Sequence, residues 1–149
     1  MLFFSLTILS LSFIIYEDFK ARAIHWYWLL FLLVGILGLE NISIKDGIVG
    51  LAFMAFQLFV VTVYFSIKQR RLVNISKDYF GIGDTLFLIP LCFYFDIKRL
   101  LIFWIVGLLI NILGFLIIKK TLKTDLQTIP FAGGMSLVLI VWIFYDTLT

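Results

Sequence analysis

The sequence predicts an all-α membrane protein, a bundle of six transmembrane helices that form a single domain over residues 1–149. Hydrophobic residues make up 63% of the chain and charged residues 14%, whereas a soluble domain carries about 25% charged residues. The mean hydropathy is +1.14. Lipid admits only helices and closed barrels as spanning structures, and no apolar run alternates apolar with polar residues as barrel strands do. A helical bundle in a lipid bilayer is therefore predicted.

Six apolar runs supply the six predicted helices. A full span takes about 20 apolar residues; the third and fifth runs reach that length, the others are short, and the fourth is the shortest. Short helices are tolerated where they pack inside a bundle or where the bilayer thins. The runs are Leu2–Tyr16, Ile24–Leu39, Ile48–Ile67, Gly83–Phe95, Leu100–Ile118 and Ile129–Tyr145.

The first run has an alternative interpretation as a cleaved secretory signal, because Ala21-Arg22-Ala23 has the small-x-small form of a cleavage site. No basic residue precedes the run, however, and Glu17, Asp18 and Lys20 separate it from the supposed site. A signal peptide has a basic start and an uncharged approach to its cleavage site. The sequence therefore favours a retained first helix.

The charges between the runs predict the orientation. If the N-terminus lies outside, the inner loops hold nine Lys and Arg residues and the outer loops three, and basic residues concentrate on the cytoplasmic side of membrane proteins. This bias also explains the net charge of +3 without any nucleic-acid partner. The inner set is Lys20, Arg22, Lys68, Arg70, Arg71, Lys77, Lys119, Lys120 and Lys123, and the outer set is Lys45, Lys98 and Arg99.

This topology places two carboxylates, Asp18 and Asp84, at the cytoplasmic membrane boundary. Charges at the mouth of an apolar run are functional candidates by default. Two neighbouring carboxylates share a proton. The ionised one can activate water while the protonated one hydrogen-bonds a scissile carbonyl. This chemistry needs no metal and no cofactor. Cys92 is the single cysteine, which excludes an internal disulfide and a cysteine-based zinc site, and a hydrogen-bonding role is predicted for the single histidine, His25.

Three short motifs carry a resemblance to a known family. Gly81-Ile82-Gly83-Asp84 has the form of the GxGD motif of membrane aspartyl proteases, and Asp18-x-x-x-Arg22-x-Ile24 resembles the first aspartate signature of type IV prepilin peptidases. Ile129-Pro130-Phe131-Ala132 is similar to the stretch that opens the last helix of that family. The resemblance covers essentially the whole chain. It departs from the family where Ile24 is followed by His25 rather than proline.

The resemblance implies an aspartic endopeptidase of a prokaryotic inner membrane, with its active site facing the cytoplasm. Its substrate would be a prepilin or pseudopilin of a type IV pilus or protein secretion system, from which it removes a short basic leader. Asp18 and Asp84 would be catalytic, Gly81 and Gly83 would shape the turn, and Arg22 would steer the leader, orient Asp18 or contact lipid phosphate. The chain lacks the Cys-x-x-Cys motifs of the longer members, so a peptidase-only form is expected.

Further site predictions concern the substrate and the roles within the pair. Glu17 and Asp78 lie on the inner side and are predicted to attract a basic leader, and the resemblance makes Pro130 and Phe131 candidates for substrate binding. Helix dipoles favour an anion at a helix start and disfavour it at a helix end. Because Asp84 begins a helix and Asp18 ends one, Asp84 is predicted to be the base and Asp18 the acid.

Two rival functions remain open at this point. One is a catalytically inactive scaffold or assembly protein on the same fold. The other is a presenilin-type intramembrane protease, although such chains have more helices and a Pro-Ala-Leu motif that this sequence lacks. The sequence leaves the oligomeric state and the particular pilin open.

Overall fold

The computed structural model describes residues 1–21, 23–39, 44–72, 81–122 and 130–148. These residues form six helices and no strand, so the predicted all-α fold is confirmed. Each predicted apolar run corresponds to one helix. The helices are α1 (Leu2–Ala21), α2 (Trp26–Leu37), α3 (Ile44–Gln69), α4 (Ile82–Tyr94), α5 (Ile97–Leu122) and α6 (Phe131–Leu148).

Four of the six helices are long and apolar enough to cross a membrane, namely α1, α3, α5 and α6. Helices α2 and α4 have 12 and 13 residues, which gives each about 20 Å at 1.5 Å per residue, less than the hydrocarbon core of about 30 Å. The two short helices pack against each other, and each also packs against one longer helix, α2 against α1 and α4 against α3.

Helix α1 is longer than its apolar run, and this extension carries the first carboxylate inside the helix. The run ends at Tyr16, but the helix continues to Ala21. Its polar side chains remain compatible with lipid because the hydroxyls of Thr7, Ser10 and Ser12 donate to carbonyl oxygens one turn earlier, at 2.7–2.8 Å. Such bonds satisfy a hydroxyl without a partner from another helix.

The core lies where α1, α2, α4 and α6 meet. Apolar side chains from these helices are almost completely excluded from the surface. The most buried members are Leu11, Ile14, Leu32, Phe87, Leu91, Met135 and Leu139.

Two glycines of α3 set its register against α4. A Cβ atom on Gly50 would lie 3.1 Å from the Cβ of Cys92, and one on Gly47 would lie 2.6 Å from the ring of Phe93. With the two helices antiparallel, this register puts Asp84 level with Gln57. Helix α3 continues for about 12 further residues, or about 18 Å.

Helix α5 extends beyond the same level. The side-chain amide of Asn111 donates to the carbonyl oxygen of Phe131, the first residue of α6, at 3.0 Å. From Asn111 the helix continues to Leu122, which adds about 16 Å at 1.5 Å per residue. Helices α3 and α5 therefore both extend well past the level at which α6 begins.

Candidate active site

The start of α6 brings the two predicted carboxylates together. The backbone N–H of Gly133 donates to Oδ2 of Asp18 at 2.6 Å, and the backbone N–H of Ala132 donates to Oδ1 of Asp84 at 3.2 Å. The first N–H groups of a helix have no partner within the helix and attract anions. Pro130 immediately precedes the helix, where proline is well suited because it has no N–H to satisfy. Side chains from α1 and α4 thus bind consecutive amides of a third helix.

The two carboxylates line one cavity of about 240 Å³. Its remaining wall comes from the connection before α2, at Ala23 and Ile24, and from the turn that opens α4. Asp18 is 5% exposed and buried, whereas Asp84 is partly exposed. Two carboxylates in one small cavity repel each other when both are ionised, which disfavours the doubly ionised state.

Gly81 makes the turn before α4 possible. Its φ is +76°, a region that L side chains rarely adopt and glycine adopts freely. A Cβ atom there would also lie 3.2 Å from Oδ2 of Asp84. The carbonyl oxygen of Gly81 accepts hydrogen bonds from the backbone N–H and the hydroxyl of Thr85, at 3.2 and 3.0 Å. The first glycine of the motif is therefore required by backbone geometry.

Gly83 and Gly133 serve a different purpose, because both permit close approach. A Cβ atom on Gly83 would lie 3.3 Å from the Cβ of Ile24. One on Gly133 would lie 3.0 Å from Oδ2 of Asp18 and 3.0 Å from the ring of Phe19. The absence of side chains at these positions lets the connection before α2 contact α4, and lets α1 contact α6.

Glu17 closes the connection between α1 and α2. Its carboxylate accepts hydrogen bonds from the backbone N–H of His25 at 2.9 Å and from the indole Nε1–H of Trp28 at 3.0 Å, and it pairs with Nδ1 of His25 at 2.8 Å. We call these three residues the Glu17 clasp. Glu17 directly precedes Asp18 and His25 directly follows Ile24, and both Asp18 and Ile24 line the cavity. The clasp therefore fixes this wall of the cavity. The sequence did not predict this structural role of Glu17. It did predict a hydrogen-bonding role for His25, and the structure shows one.

Phe131 is a packing residue in this structure. Its side chain is 8% exposed and its ring lies 5.8 Å from that of Trp104 on α5. Asn111 holds its carbonyl oxygen, and a Cβ atom on Gly134 would collide with the same asparagine. The place of Asn111 between Gly107 and Gly114 at helical spacing indicates close helix contact, and the structure shows such a contact at Asn111. The sequence did not indicate that its partner is the start of α6.

Two predicted site residues, Arg22 and Asp78, lie outside the described residues. Within the part of the chain that the structure describes, no three His, Cys, Asp or Glu side chains are grouped so that they could hold a metal ion. The hydrogen bonds of Asp18 and Asp84 to α6 make the arrangement that of a carboxylate pair on a helix N-terminus.

The roles predicted from helix ends considered only the helix that carries each aspartate. The structure adds α6, whose positive end lies at both carboxylates and whose shorter hydrogen bond goes to Asp18. Hydrogen bonds from N–H groups favour the ionised form of a carboxylate. Helix α6 therefore stabilises the ionised form of Asp18, which the position of Asp18 at the end of α1 disfavours. This effect opposes the predicted assignment of Asp18 as the acid.

Comparisons with protein-family models, with curated proteins and with solved structures give no match for this chain. The functional argument therefore depends on the geometry of the site and on the motifs in the sequence.

Proposed function

We propose that this protein is a membrane aspartyl endopeptidase that cleaves the basic leader from prepilin-like substrates. The observation that supports it best is the convergence of Asp18 and Asp84 on consecutive amides of α6, in one cavity. A peptide bond needs both an acid and a base for hydrolysis, and a carboxylate pair that shares one proton supplies both.

In this mechanism the ionised carboxylate removes a proton from a water molecule as the oxygen of that water attacks the scissile carbonyl carbon. The protonated carboxylate hydrogen-bonds the carbonyl oxygen and stabilises the developing negative charge. Collapse of the tetrahedral intermediate breaks the C–N bond, and the amine leaves with a proton supplied by the pair. The amides of Ala132 and Gly133 hold the two carboxylates in fixed positions throughout, which lowers the entropic cost of the reaction.

The membrane placement belongs to the same proposal. All six helices cross an inner membrane of a prokaryotic cell, with the N-terminus outside and the site facing the cytoplasm, as the basic residues of the loops favour. The two short helices α2 and α4 pack against each other and against longer helices, and the level of the site lies about 16–18 Å from the inner ends of α3 and α5.

The test is co-expression with candidate prepilins from genomes in which this gene adjoins pilin-like genes. The wild-type protein is expected to shorten the prepilin by its leader, and Asp18→Asn and Asp84→Asn are each expected to abolish the shortening. These amides keep the shape of the side chain and remove the titratable proton. Processing that survives both substitutions would show that the carboxylates are not catalytic.

The rival is a non-enzymatic scaffold on the same fold, for which the departures from the family motif after Ile24 are the supporting observation. A scaffold would bind pilin subunits without cleaving them. Pilus assembly that persists in an Asp18→Asn, Asp84→Asn double variant, without processing by the wild type, would favour it.

A further inference from the structure

A groove of about 390 Å³ lies between α3 and α5, outside the catalytic cavity. We call it the α3–α5 groove. Six residues of α3 line it: Met54, Gln57, Leu58 and Val61 share one face of the helix, and Phe56 and Val60 extend the lining beyond that face. Trp104 and Leu108 line the α5 wall, and Leu88 of α4 forms part of the lining. Apart from one glutamine, every residue of this lining is apolar.

The α3–α5 groove is separate from the catalytic cavity, with which it shares no lining residue, but it lies close to it. Leu88 lies about one helical turn after Asp84 on the same helix. Trp104 contacts Phe131, and the two residues after Phe131 provide the amides that bind the carboxylates. The register of α3 against α4 places Gln57 level with Asp84. A molecule in the groove would therefore reach the depth of the carboxylates.

Gln57 places in the groove a hydrogen-bond acceptor to which a lipid acyl chain can offer no donor. Its side-chain oxygen Oε1 is buried and has no hydrogen-bond partner in the described structure. A buried oxygen without a donor is unfavourable in an apolar environment. An acyl chain carries no donor, whereas a peptide carries N–H groups that become free where its helix unwinds.

We propose that the α3–α5 groove binds the apolar helix of the substrate and that Gln57 accepts a hydrogen bond from it near the scissile bond. This inference rests on the proposed function, because a substrate cleaved at the end of an apolar helix has that helix directly beside the site. The side-chain ridges of a helix fit a groove between two other helices, and recognition of a helix by an apolar groove is a common binding mode.

The first experiment compares two valines of α3 that differ only in the face they occupy. Val61 lines the groove and is 40% exposed, whereas Val63 lies outside the lining and is 39% exposed. Val61→Trp fills the groove and is expected to lower prepilin processing roughly tenfold, while Val63→Trp is expected to process like the wild type. Equal processing by both variants would mean that lipid occupies the groove and would overturn the inference.

The second experiment detects binding without cleavage. In the Asp84→Asn protein, with an external thiol oxidant added, Val61→Cys is expected to form a disulfide with a cysteine placed in the apolar helix of the prepilin, and Val63→Cys is not. Equal cross-linking at both positions, or none at either, would contradict the groove. Because this readout needs no catalysis, cross-linking at Val61 alone would support the groove even if the wild-type protein failed to process the prepilin, which would refute only the proposed function.

The third experiment addresses Gln57. Gln57→Leu removes an unpaired buried oxygen, so the free protein is expected to gain stability. The same change removes the acceptor for the substrate and is expected to raise the KM for prepilin processing several-fold with little change in kcat. A purely structural glutamine would not combine higher stability with weaker substrate binding, and an unchanged KM would contradict the proposed hydrogen bond.

Discussion

Asp18 lies in the last turn of a continuous helix of 20 residues, whereas Asp84 lies in the first turn of a 13-residue helix that follows a glycine turn. Asp18 is buried and binds its amide at 2.6 Å; Asp84 is partly exposed and binds its amide at 3.2 Å. The position of the first depends on packing between helices, and that of the second depends on one backbone conformation.

This difference teaches that one half of the site is built into the core and the other is set by a turn. A change near Asp18 disturbs the packing of α1 against α6, and this packing involves side chains of both helices. A change near Asp84 acts through a single residue with positive φ. We therefore expect packing substitutions to have larger effects on the Asp18 side.

The largest effect is expected from Gly133→Ala. The new Cβ atom would lie 3.0 Å from both Oδ2 of Asp18 and the ring of Phe19, so α1 and α6 must separate or the carboxylate must leave its amide. Processing is expected to fall roughly a hundredfold, because small displacements of catalytic groups cost about that much. The measurement is the fraction of prepilin cleaved at equal amounts of membrane-inserted protein.

The matched control is Gly114→Ala on α5, where a Cβ atom would meet nothing within 4 Å. Alanine stabilises a helix interior by about 1 kcal/mol relative to glycine, so this variant is expected to be fully active and at least as stable. If both substitutions reduced processing equally, close packing at Asp18 would not explain the Gly133 result.

A smaller effect is expected from Gly81→Ala, which tests the turn on the Asp84 side. A sparsely populated backbone conformation of this kind costs an L residue about 1–3 kcal/mol, and the Cβ atom would lie 3.2 Å from Oδ2 of Asp84. We expect roughly a tenfold loss of kcat with little change in KM. A wild-type kcat would show that the conformation of this turn does not control the second carboxylate.

The next effect distinguishes two roles for Glu17. If the Glu17 clasp fixes the wall of the cavity, Glu17→Gln lowers both kcat and the melting temperature, because an amide cannot accept all three bonds without presenting its own N–H groups to donors. If Glu17 instead attracts a basic leader, as its charge predicted, KM rises and loses salt dependence while kcat is unchanged. Kinetics at two salt concentrations separate these outcomes.

Asp96→Asn provides the control for lost stability. The carboxylate of Asp96 accepts a hydrogen bond from the backbone N–H of Arg99 at 2.7 Å, at the start of α5 and away from the site. Its loss is expected to lower the melting temperature without lowering kcat. A fall in kcat for both variants would mean that activity follows stability rather than the clasp.

The smallest effect is expected from Gly83→Ala. Its Cβ atom would lie 3.3 Å from the Cβ of Ile24, and this contact can be relieved by a shift of a few tenths of an ångström. We expect a loss of processing of roughly threefold, about 0.7 kcal/mol. Ile24→Val keeps Cβ but removes the Cδ1 atom, which would lie 3.5 Å from the new Cβ atom, and the space gained lets residue 24 shift. This change is expected to restore part of the loss, and an additive loss in the double variant would contradict direct contact between these positions.

The sequence by itself determined the all-α class of the fold and the six helices that the described residues form. Hydropathy and helix propensity are local properties, so each apolar run could be assigned to a helix without knowledge of the others. The carboxylates could be identified for the same reason, because a charge that adjoins an apolar run is costly wherever the helix packs.

Only the tertiary structure decided what holds the carboxylates. The amide of Gly133 binds a side chain 115 residues away in the chain, and no periodicity connects such positions. The Glu17 clasp and the level of Asp84 against Gln57 likewise depend on how helices pack, which is set by close contacts at a few glycines. Side-chain packing is a property of pairs of helices, so a single sequence does not reveal it.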